Sequence, residues 1–287
     1  MKVKRFILSI LCVNILLVSS CVDTVKENSF QYLHLYTDLS NSLDATLFDE
    51  FAKQTDIHVY VHYASAESIL RKIKTEKWES NADGVLLSNA LNLIELNDGG
   101  FFTKTDELSE RDWQCLFINP FIFSSPKDTV QLFTSYGQLF RNENSRVDAS
   151  LIKSFNQWGN LIPALKKNYP IYSLSKIQGK ILHSDSVKGK ETKIVQIAPF
   201  SYYTDKSKIV FPDQFYKGAI GIIGGIGLIK QSKNRSNAQE LYIYCKNSSW
   251  RKKLARDIRL FPILSPEENK KRQILFNQTP PNLKAKT

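Results

Sequence analysis

Residues 32–63 read YLHLYTDLSNSLDATLFDEFAKQTDIHVYVHY, and the fold class follows from their pattern. Residues 32–36 are rich in aliphatic and aromatic side chains, and residues 57–63 alternate in polarity, so both segments are predicted to be strands. The segment between them carries apolar residues at every fourth position, as one face of a helix does: Leu43, Leu47 and Phe51. A strand, a helix and a second strand in this order predict the first unit of an α/β fold.

The same alternation continues along the chain. Further strands are predicted at residues 83–87, 115–118, 194–198, 209–211 and 218–230, with a turn at Pro120. Helices are predicted at residues 66–78, 91–96, 129–140, 150–166, 237–245 and 249–257. Strands and helices at this spacing predict a mostly parallel sheet that helices cover on both faces.

The amino terminus has the parts of a secretory signal peptide. A cluster of positive charges precedes an apolar run over residues 6–18, which is shorter than the roughly 20 residues that a membrane-spanning helix needs. Val18-Ser19-Ser20-Cys21 then resembles the bacterial lipobox, whose cysteine is acylated, commonly with palmitate. We expect a lipoprotein signal peptide at residues 1–20, a lipid on Cys21 and a polar tether at residues 21–30. The alternative is an ordinary signal peptide or a membrane anchor with an incidental cysteine.

The composition is that of a globular, basic protein, with 42% hydrophobic residues, 23% charged residues and a formal net charge of +11. Lys2, Lys4 and Arg5 belong to the predicted signal peptide, so +11 − 3 leaves +8 on the mature chain. Such an excess suits nucleic acid, an anionic membrane surface or a small anionic ligand. An exported protein rarely meets nucleic acid, and no run of aromatic residues interleaves with Lys and Arg. A basic solvated surface therefore accounts for the charge.

The four cysteines have separate fates in this interpretation. Cys12 leaves with the signal peptide and Cys21 takes the lipid. Cys115 and Cys245 remain, and they either form a disulfide in an oxidising compartment or stay separate buried thiols. No CxxC motif or paired His/Cys spacing indicates a zinc site.

The sequence contains no recognisable catalytic constellation. His58 and His62 are predicted to lie on a strand, where four residues span about 13 Å, so they cannot share one ion and are predicted to face solvent. No H-E-x-x-H, G-x-S-x-G or G-x-x-x-x-G-K motif is present. The run G-I-I-G-G-I-G at residues 221–227 lacks the third glycine of a dinucleotide-binding loop and indicates tight β packing. We therefore expect a binding protein and not an enzyme, with no resident cofactor.

Two short segments are candidates for ligand binding. Ser124-Ser125-Pro126-Lys127-Asp128-Thr129 precedes a predicted helix, where hydroxyl and backbone N–H groups either bind an anion or cap the helix. Tyr202-Tyr203 follows a predicted strand. Adjacent phenols bind a hard cation such as ferric iron as phenolates, hydrogen-bond a polar ligand, or simply pack.

The order of several segments resembles bacterial extracellular solute-binding proteins of ABC importers. Residues 33–37 (LHLYT) and 47–59 (LFDEFAKQTDIHV) are similar to their V-Y-S/T strand and F-E-K-x-T-G-I-x-V passage. Residues 81–85 (NADGV) look like their x-A-D-V strand. Later similarities lie at residues 113–119 with 124–129 (W-K-G-K-I-A-I…S-G-T), 209–213 (V-x-x-P-E/D), 224–238 (G-x-G-V-x-K-G-A-K-N-P-E-A) and 261–263 (Y-P-V). Tyr202-Tyr203 falls where the ferric-iron-binding branch carries paired tyrosines.

This resemblance implies an α/β fold of the periplasmic-binding-protein type II-like class, with two lobes and mixed sheets around a ligand cleft. Lobe one would comprise residues 31–112 and 218–287, and lobe two residues 113–217. Ferric iron as cargo, or a small anionic solute, would bind between the lobes, with Tyr202 and Tyr203 as the metal ligands. The implied binding residues are Asp38, Ser40, Ser88, Asn89, Ser124, Ser125, Thr129, Tyr202 and Tyr203.

The resemblance also implies a permease as the membrane partner and a location facing the periplasm or the cell exterior. The chain departs from the branch in two respects. The histidine and glutamate that often complete the iron site are replaced by residues 38–40 and by Ser88-Asn89, and the inter-lobe stretch between Gly100 and Trp113 is short. The shortening motivates an alternative, a cell-surface lipoprotein that has lost transport and serves adhesion or assembly.

Overall fold

A computed structural model describes residues 31–39, 43, 45–76, 81–105, 111–125, 133–142, 145–148, 155–171, 181–182, 193–202, 208–213 and 220–264. The predicted signal peptide, Cys21 and the tether lie outside these residues. The described strands are β1 (Gln31–Thr37), β2 (Ile57–Tyr63), β3 (Gly84–Leu87), β4 (Trp113–Ser125), β5 (Ser145–Asp148), β6 (Ile181–Leu182), β7 (Lys193–Pro199), β8 (Lys208–Val210), β9 (Gly221–Leu228) and β10 (Phe261–Pro262). The α-helices are α1 (Asp49–Thr55), α2 (Ala66–Glu76), α3 (Ala90–Asp98), α4 (Tyr136–Arg141), α5 (Phe155–Asn168), α6 (Arg235–Cys245) and α7 (Ser248–Asp257).

These strands form one sheet in the order β2-β1-β3-β9-β4-β7-β5-β6, with β8 and β10 also pairing with β4. β1 and β3 are parallel neighbours, whereas β3 and β4 both run antiparallel to β9. The expectation of a mostly parallel sheet is therefore wrong, because β9 runs antiparallel to both of its neighbours and β4 runs antiparallel to β7. The mixed sheet implied by the family resemblance is confirmed.

We call the region of the sheet that contains β1, β3 and β9 its first part. Helices cover both faces of this first part, as the sequence predicts. One core contains Leu33 and Leu35 of β1 together with α1, α6 and α7, and it includes the three residues of the predicted helical face, Leu43, Leu47 and Phe51. A 3-10 helix at Ala45–Phe48 forms the start of that helical segment. The opposite core contains Tyr36 with residues of α2 and α3. Burial of alternate β1 side chains on opposite faces follows from the period of two in a strand.

β4 connects the first part of the sheet to the second. Its residues from Trp113 to Pro120 pair with β9, and those from Phe121 onward pair with β7 and β8. The predicted turn at Pro120 is wrong: the residue lies inside the strand, opposite Gly221. Proline has no N–H to donate, and it is tolerated here because β4 changes its pairing partner at the next residue.

A second core lies beyond this point in β4. It contains Phe121 and Phe123 of β4, residues of α4 and α5, and Ile220 and Ile222 at the start of β9. The described part of the predicted helix at residues 129–140 begins only at Tyr136, with Ser135 as its N-cap. The lobe limits implied by the resemblance stay a prediction, although each end of β4 lies in a separate core.

The glycine run of β9 is required by close packing. A Cβ atom at Gly225 would overlap the backbone carbonyl of Gln114, and one at Gly224 would overlap the Phe117 ring. The preference for β packing over a nucleotide loop is thereby confirmed. Cys115 and Cys245 are free thiols, and burial raises the pKa of both. Within the described residues, no helix combines the length and the hydropathy needed to cross a bilayer.

Candidate functional site

Asp38 and Ser88 meet at the carboxyl ends of β1 and β3. Thr37 and Leu86 are register partners in these parallel strands, so the residues that follow the strands emerge at the same edge of the sheet. The Ser88 backbone N–H donates to Asp38 Oδ1 at 2.7 Å, and the Ser88 hydroxyl donates to Oδ2 at 2.7 Å. Both carboxylate oxygens are thus fixed in direction.

The Asp38 carboxylate is partly buried without a compensating positive charge among the described residues. Desolvation raises its pKa, and the two hydrogen bonds from Ser88 lower it, with desolvation the larger effect. The ionised form of such a carboxylate is stabilised when a cation binds beside it. The end of β1 therefore carries an oxygen donor suited to a cation.

Thr37 holds the turn that directs Asp38, and the sequence prediction did not include it. Its fully buried hydroxyl donates to the Leu86 carbonyl at 2.7 Å and accepts from the Leu39 N–H at 3.1 Å. The bonds tie β1 to β3 and stop the strand at the residue before Asp38. A threonine between a buried strand and an acidic residue is a weak signal, because threonine is common in strands.

Asn89 has a structural task next to the site. Its side-chain oxygen accepts from the Leu91 N–H at 3.0 Å and so caps α3. The cap fixes the helix that follows β3 and with it the position of Ser88. A direct contact between Asn89 and a ligand stays a prediction.

A second pair of polar residues joins β4 to the segment after β7. Asn119 Nδ2 donates to the Ser201 hydroxyl at 2.8 Å, and the Ser201 N–H donates to Asn119 Oδ1 at 3.2 Å. A 3-10 helix at Phe200–Tyr202 turns the chain directly after β7. Asn119 was missed from sequence because it lies inside a strand, where a polar residue gives no functional signal of its own.

The register places the two pairs at the same end of the first part of the sheet. Leu87 pairs with Gly225 of β9, the adjacent Gly224 pairs with Phe117, and Asn119 lies two residues further along β4. With about 3.3 Å per residue and about 4.8 Å between strands, Ser88 and Asn119 are on the order of 10 Å apart. A small ligand can bridge this separation.

The other predicted ligand residues lie away from these two pairs or outside the described residues. Ser124 is buried in the second part of the sheet, five residues and therefore about 16 Å along β4 from Asn119. The side chains of Ser125 and Tyr202, and the whole of Ser40, Thr129 and Tyr203, lie outside the described part of the structure. Their roles stay predictions. In the described ranges, no group of three or more His, Cys, Asp or Glu side chains is arranged to hold a metal ion.

Comparison with solved structures identifies the architecture. The Bordetella ferric binding protein superposes with a TM-score of 0.67 at 18% identity, covering 82% of this chain and 87% of that protein. The chain has the fold of the ferric-binding proteins. A Trichodesmium protein, IdiA or FutA, in complex with iron and citrate matches with the same values. Iron-bound HitA from Pseudomonas aeruginosa matches with a TM-score of 0.64 at 17% identity, covering 82% and 87%.

The similarity to these structures confirms the two-lobed, type II-like α/β fold that the sequence resemblance implies. No protein-family model and no curated protein matches the chain. At 17–18% identity the similarity to the ferric-binding proteins establishes the fold alone. The ligand has to be argued from the residues of this chain.

Proposed function

We propose that the chain is a lipid-anchored substrate-binding protein of an ABC importer that binds ferric iron between its two lobes. The observation that carries this proposal is the turn at Phe200–Tyr202, which Ser201 fixes to β4 through its two hydrogen bonds with Asn119. Adjacent tyrosines on an extended strand point to opposite sides, so both phenols reach one ion only where the backbone turns. The chain turns at Tyr202.

The charge of the first pair favours a cation over the alternative cargo, a small anionic solute. Asp38 presents a carboxyl group at the same end of the sheet as Asn119 and Ser201, without a cationic partner among the described residues. An anion would be repelled by this carboxylate, whereas ferric iron prefers hard oxygen donors such as carboxylate and phenolate. Asp38 would then take the place of the histidine and glutamate that often complete the iron site in the ferric-iron-binding branch and that other residues replace in this chain.

A ferric titration tests the proposal. Iron displaces the phenol proton of tyrosine, and the resulting tyrosinate gives a visible charge-transfer band. The purified chain should turn orange-red with ferric citrate, and Tyr202→Phe or Tyr203→Phe should abolish the colour. Tyr63→Phe, a change on exposed β2, is the matched control and should leave the band intact. A colourless wild-type chain that retains no iron after dialysis would sink the proposal of iron as cargo.

Export and anchoring need a separate experiment. We propose that Cys21 carries the lipid and that the lobes, residues 31–112 with 218–287 and residues 113–217, face the periplasm or the cell exterior, where the closed form meets a membrane permease. Cys21→Ser should release the protein from the membrane fraction or stall its processing. Unchanged detergent partitioning and unchanged size would contradict the anchor without touching the iron proposal.

The alternative is a surface lipoprotein that serves adhesion or assembly, motivated by the short segment before Trp113. β4 itself passes from the first core to the second, which supplies a connection between the two halves despite that short segment. A thermal-shift panel of ferric chelates, phosphorylated sugars and phosphonates separates the two functions. A saturable shift with one ligand supports transport, and no shift across the panel favours the alternative.

A further inference from the structure

Three of the four histidines of the chain lie on one face of the two neighbouring strands β1 and β2. We call the six side chains of this face the histidine–tyrosine face: Tyr32, His34, Tyr36, His58, Tyr60 and His62. Tyr60 stacks on Tyr32 at 4.8 Å between ring centroids and on His34 at 5.8 Å. Tyr36 stacks on His62 at 4.6 Å. The face does not overlap the Asp38 site.

His34 and His62 point their ring nitrogens at each other. The distance from His34 Nδ1 to His62 Nε2 is 2.8 Å, while the ring centroids are 5.1 Å apart, so the two nitrogens lie between the rings. Both side chains are half-buried, so His62 is only partly exposed at the solvent-side position predicted for it. Spacing along one strand prevents His58 and His62 from sharing an ion, but His34 on the adjacent strand reaches His62.

The surroundings of the pair favour the neutral form of His62. Desolvation lowers the pKa of His62, and the positive charges of His34 and Lys72 lower it further. One facing nitrogen donates its hydrogen and the other accepts it, since a hydrogen bond between two imidazoles needs one lone pair. Neutral imidazole is the form that binds metal ions.

We propose that His34 and His62 form a two-histidine site for a single borderline divalent transition-metal ion, with Cu²⁺ preferred. Cu²⁺ prefers a square-planar or tetragonal arrangement, in which bonds of about 2.0–2.1 Å at right angles place two neighbouring ligand nitrogens about 2.9 Å apart. The observed separation of 2.8 Å is close to this value, so the rings need only turn their lone pairs toward the ion. The ion takes the place of the shared hydrogen, and that proton moves to the far nitrogen of the same ring. Water completes the coordination.

The surroundings hold the two rings in position. The Tyr36 ring covers His62, and its hydroxyl donates to Asn81 Oδ1 at 3.0 Å. The His34 backbone N–H donates to the buried carboxylate of Asp83 at 2.8 Å, and Asp83 also accepts from the Ser232 hydroxyl at 2.6 Å. A preformed pair of this kind loses little side-chain entropy when an ion binds, because packing and hydrogen bonds already restrict both rings.

The donor type separates this site from the proposed iron site. Imidazole nitrogen suits Cu²⁺, Ni²⁺ and Zn²⁺, and the affinity of nitrogen sites peaks at Cu²⁺, whereas ferric iron would use the oxygen donors near Asp38. The inference does not rest on the proposed function, so each can fail alone.

Calorimetric titration of the mature chain with Cu²⁺, Ni²⁺ and Zn²⁺ tests the site. We expect one Cu²⁺ per chain, with nitrogen hyperfine structure in its paramagnetic resonance spectrum. His34→Gln and His62→Gln should each weaken Cu²⁺ binding at least about tenfold, a loss of about 1.4 kcal/mol. His58→Gln, which removes a histidine of the same face but outside the pair, should bind Cu²⁺ like the wild type. Copper affinity unchanged by His34→Gln, or lost equally in His58→Gln, would overturn the site.

A measurement on the unaltered chain guards against variants that fail to fold. Diethyl pyrocarbonate modifies accessible imidazoles, and mass spectrometry identifies each modified residue. Saturating Cu²⁺ should protect His34 and His62 and leave His58 reactive. Modification of His34 and His62 at the same rate with and without Cu²⁺ would contradict metal binding by the pair.

Discussion

β1 carries two polar sites that burial affects in opposite ways. At its end, desolvation raises the pKa of the acid Asp38, and in its middle, the base His34 pairs with His62, whose pKa desolvation lowers. Burial favours the neutral form in both cases. The two sites differ in what relieves that cost. A cation near its oxygens would stabilise the Asp38 carboxylate, whereas the two imidazoles already satisfy each other through one hydrogen bond.

The two sites keep the hard oxygen donors of β1 apart from its borderline nitrogen donors. Asp38 lies after the last residue of β1, at the edge of the sheet, where Ser88 orients its two oxygens. His34 and His62 lie on the face of the sheet, shielded by tyrosine rings. Separation along the strand, and not a difference in fold, is what would give each site its own class of ion.

The largest expected effect is on iron binding by Asp38→Asn. Loss of the charge should weaken ferric binding about ten- to a hundredfold, because a bond to a charged group contributes about 1.5–3 kcal/mol and each 1.4 kcal/mol is a factor of ten. The same change should raise the melting temperature of the ligand-free chain, since an ionised carboxylate with a raised pKa destabilises the folded state at neutral pH.

Competition titration with citrate and a thermal melt check both parts of this prediction. Asp98→Asn, a change at an exposed aspartate at the end of α3, is the control and should alter neither value. A ligand-free Asp38→Asn chain that melts below the wild type, with iron affinity unchanged, would show that the Asp38 carboxylate serves the fold and not the cargo.

The next effect concerns Thr37, which supports Asp38 but does not face the His34–His62 pair. Thr37→Val keeps the shape and removes both hydrogen bonds of a fully buried hydroxyl. We expect a loss of about 1–3 kcal/mol in the free energy of unfolding, because the Leu86 carbonyl and the Leu39 N–H lose a partner. Urea unfolding measures it, with Thr75→Val on the exposed side of α2 as the control.

Iron binding by the folded Thr37→Val chain should weaken as well, while Cu²⁺ binding should not change. If the binding of iron and the binding of Cu²⁺ weaken equally, the two sites are coupled through β1. That outcome would contradict the separation on which the comparison rests.

Residues that meet at the ends of strands were easier to predict from the sequence than residues that meet on a face of the sheet. Asp38 and Ser88 each follow a buried apolar run, and parallel neighbours bring such positions together, so this pair could be expected from local patterns. The pairing of His34 with His62 could not, because alternation within one strand does not reveal its register with another. Pro120 was predicted as a turn for a similar reason: its tolerance inside β4 depends on where pairing partners change.

The smallest expected effect is the pH dependence of stability at the histidine pair. The folded-state pKa of His62 lies below that of an unfolded chain, near 6.5, so the unfolded state takes up the proton first as the pH falls. The stabilising contribution of neutral His62 is therefore complete above about pH 6.5 and is lost as the pH falls toward the folded-state value. Asp38 acts in the opposite direction, since its raised pKa makes the folded state bind the proton first as the pH falls.

The groups that face His62 set the size of this loss. His34 and Tyr60 lie on the same face of the sheet, Tyr36 covers the His62 ring, and Lys72 of α2 approaches Tyr36 while paired with Glu76 at 2.7 Å. Protonation of His62 adds a charge beside the cationic Lys72. Urea unfolding at pH 8, 7, 6 and 5.5 should show wild-type stability falling on the acid side. His62→Gln should flatten that fall, and His58→Gln should keep it. A wild-type chain equally stable at pH 8 and 5.5, or a fall that persists in His62→Gln, would show that desolvation of this imidazole is too weak to matter and that only Asp38 carries a burial cost.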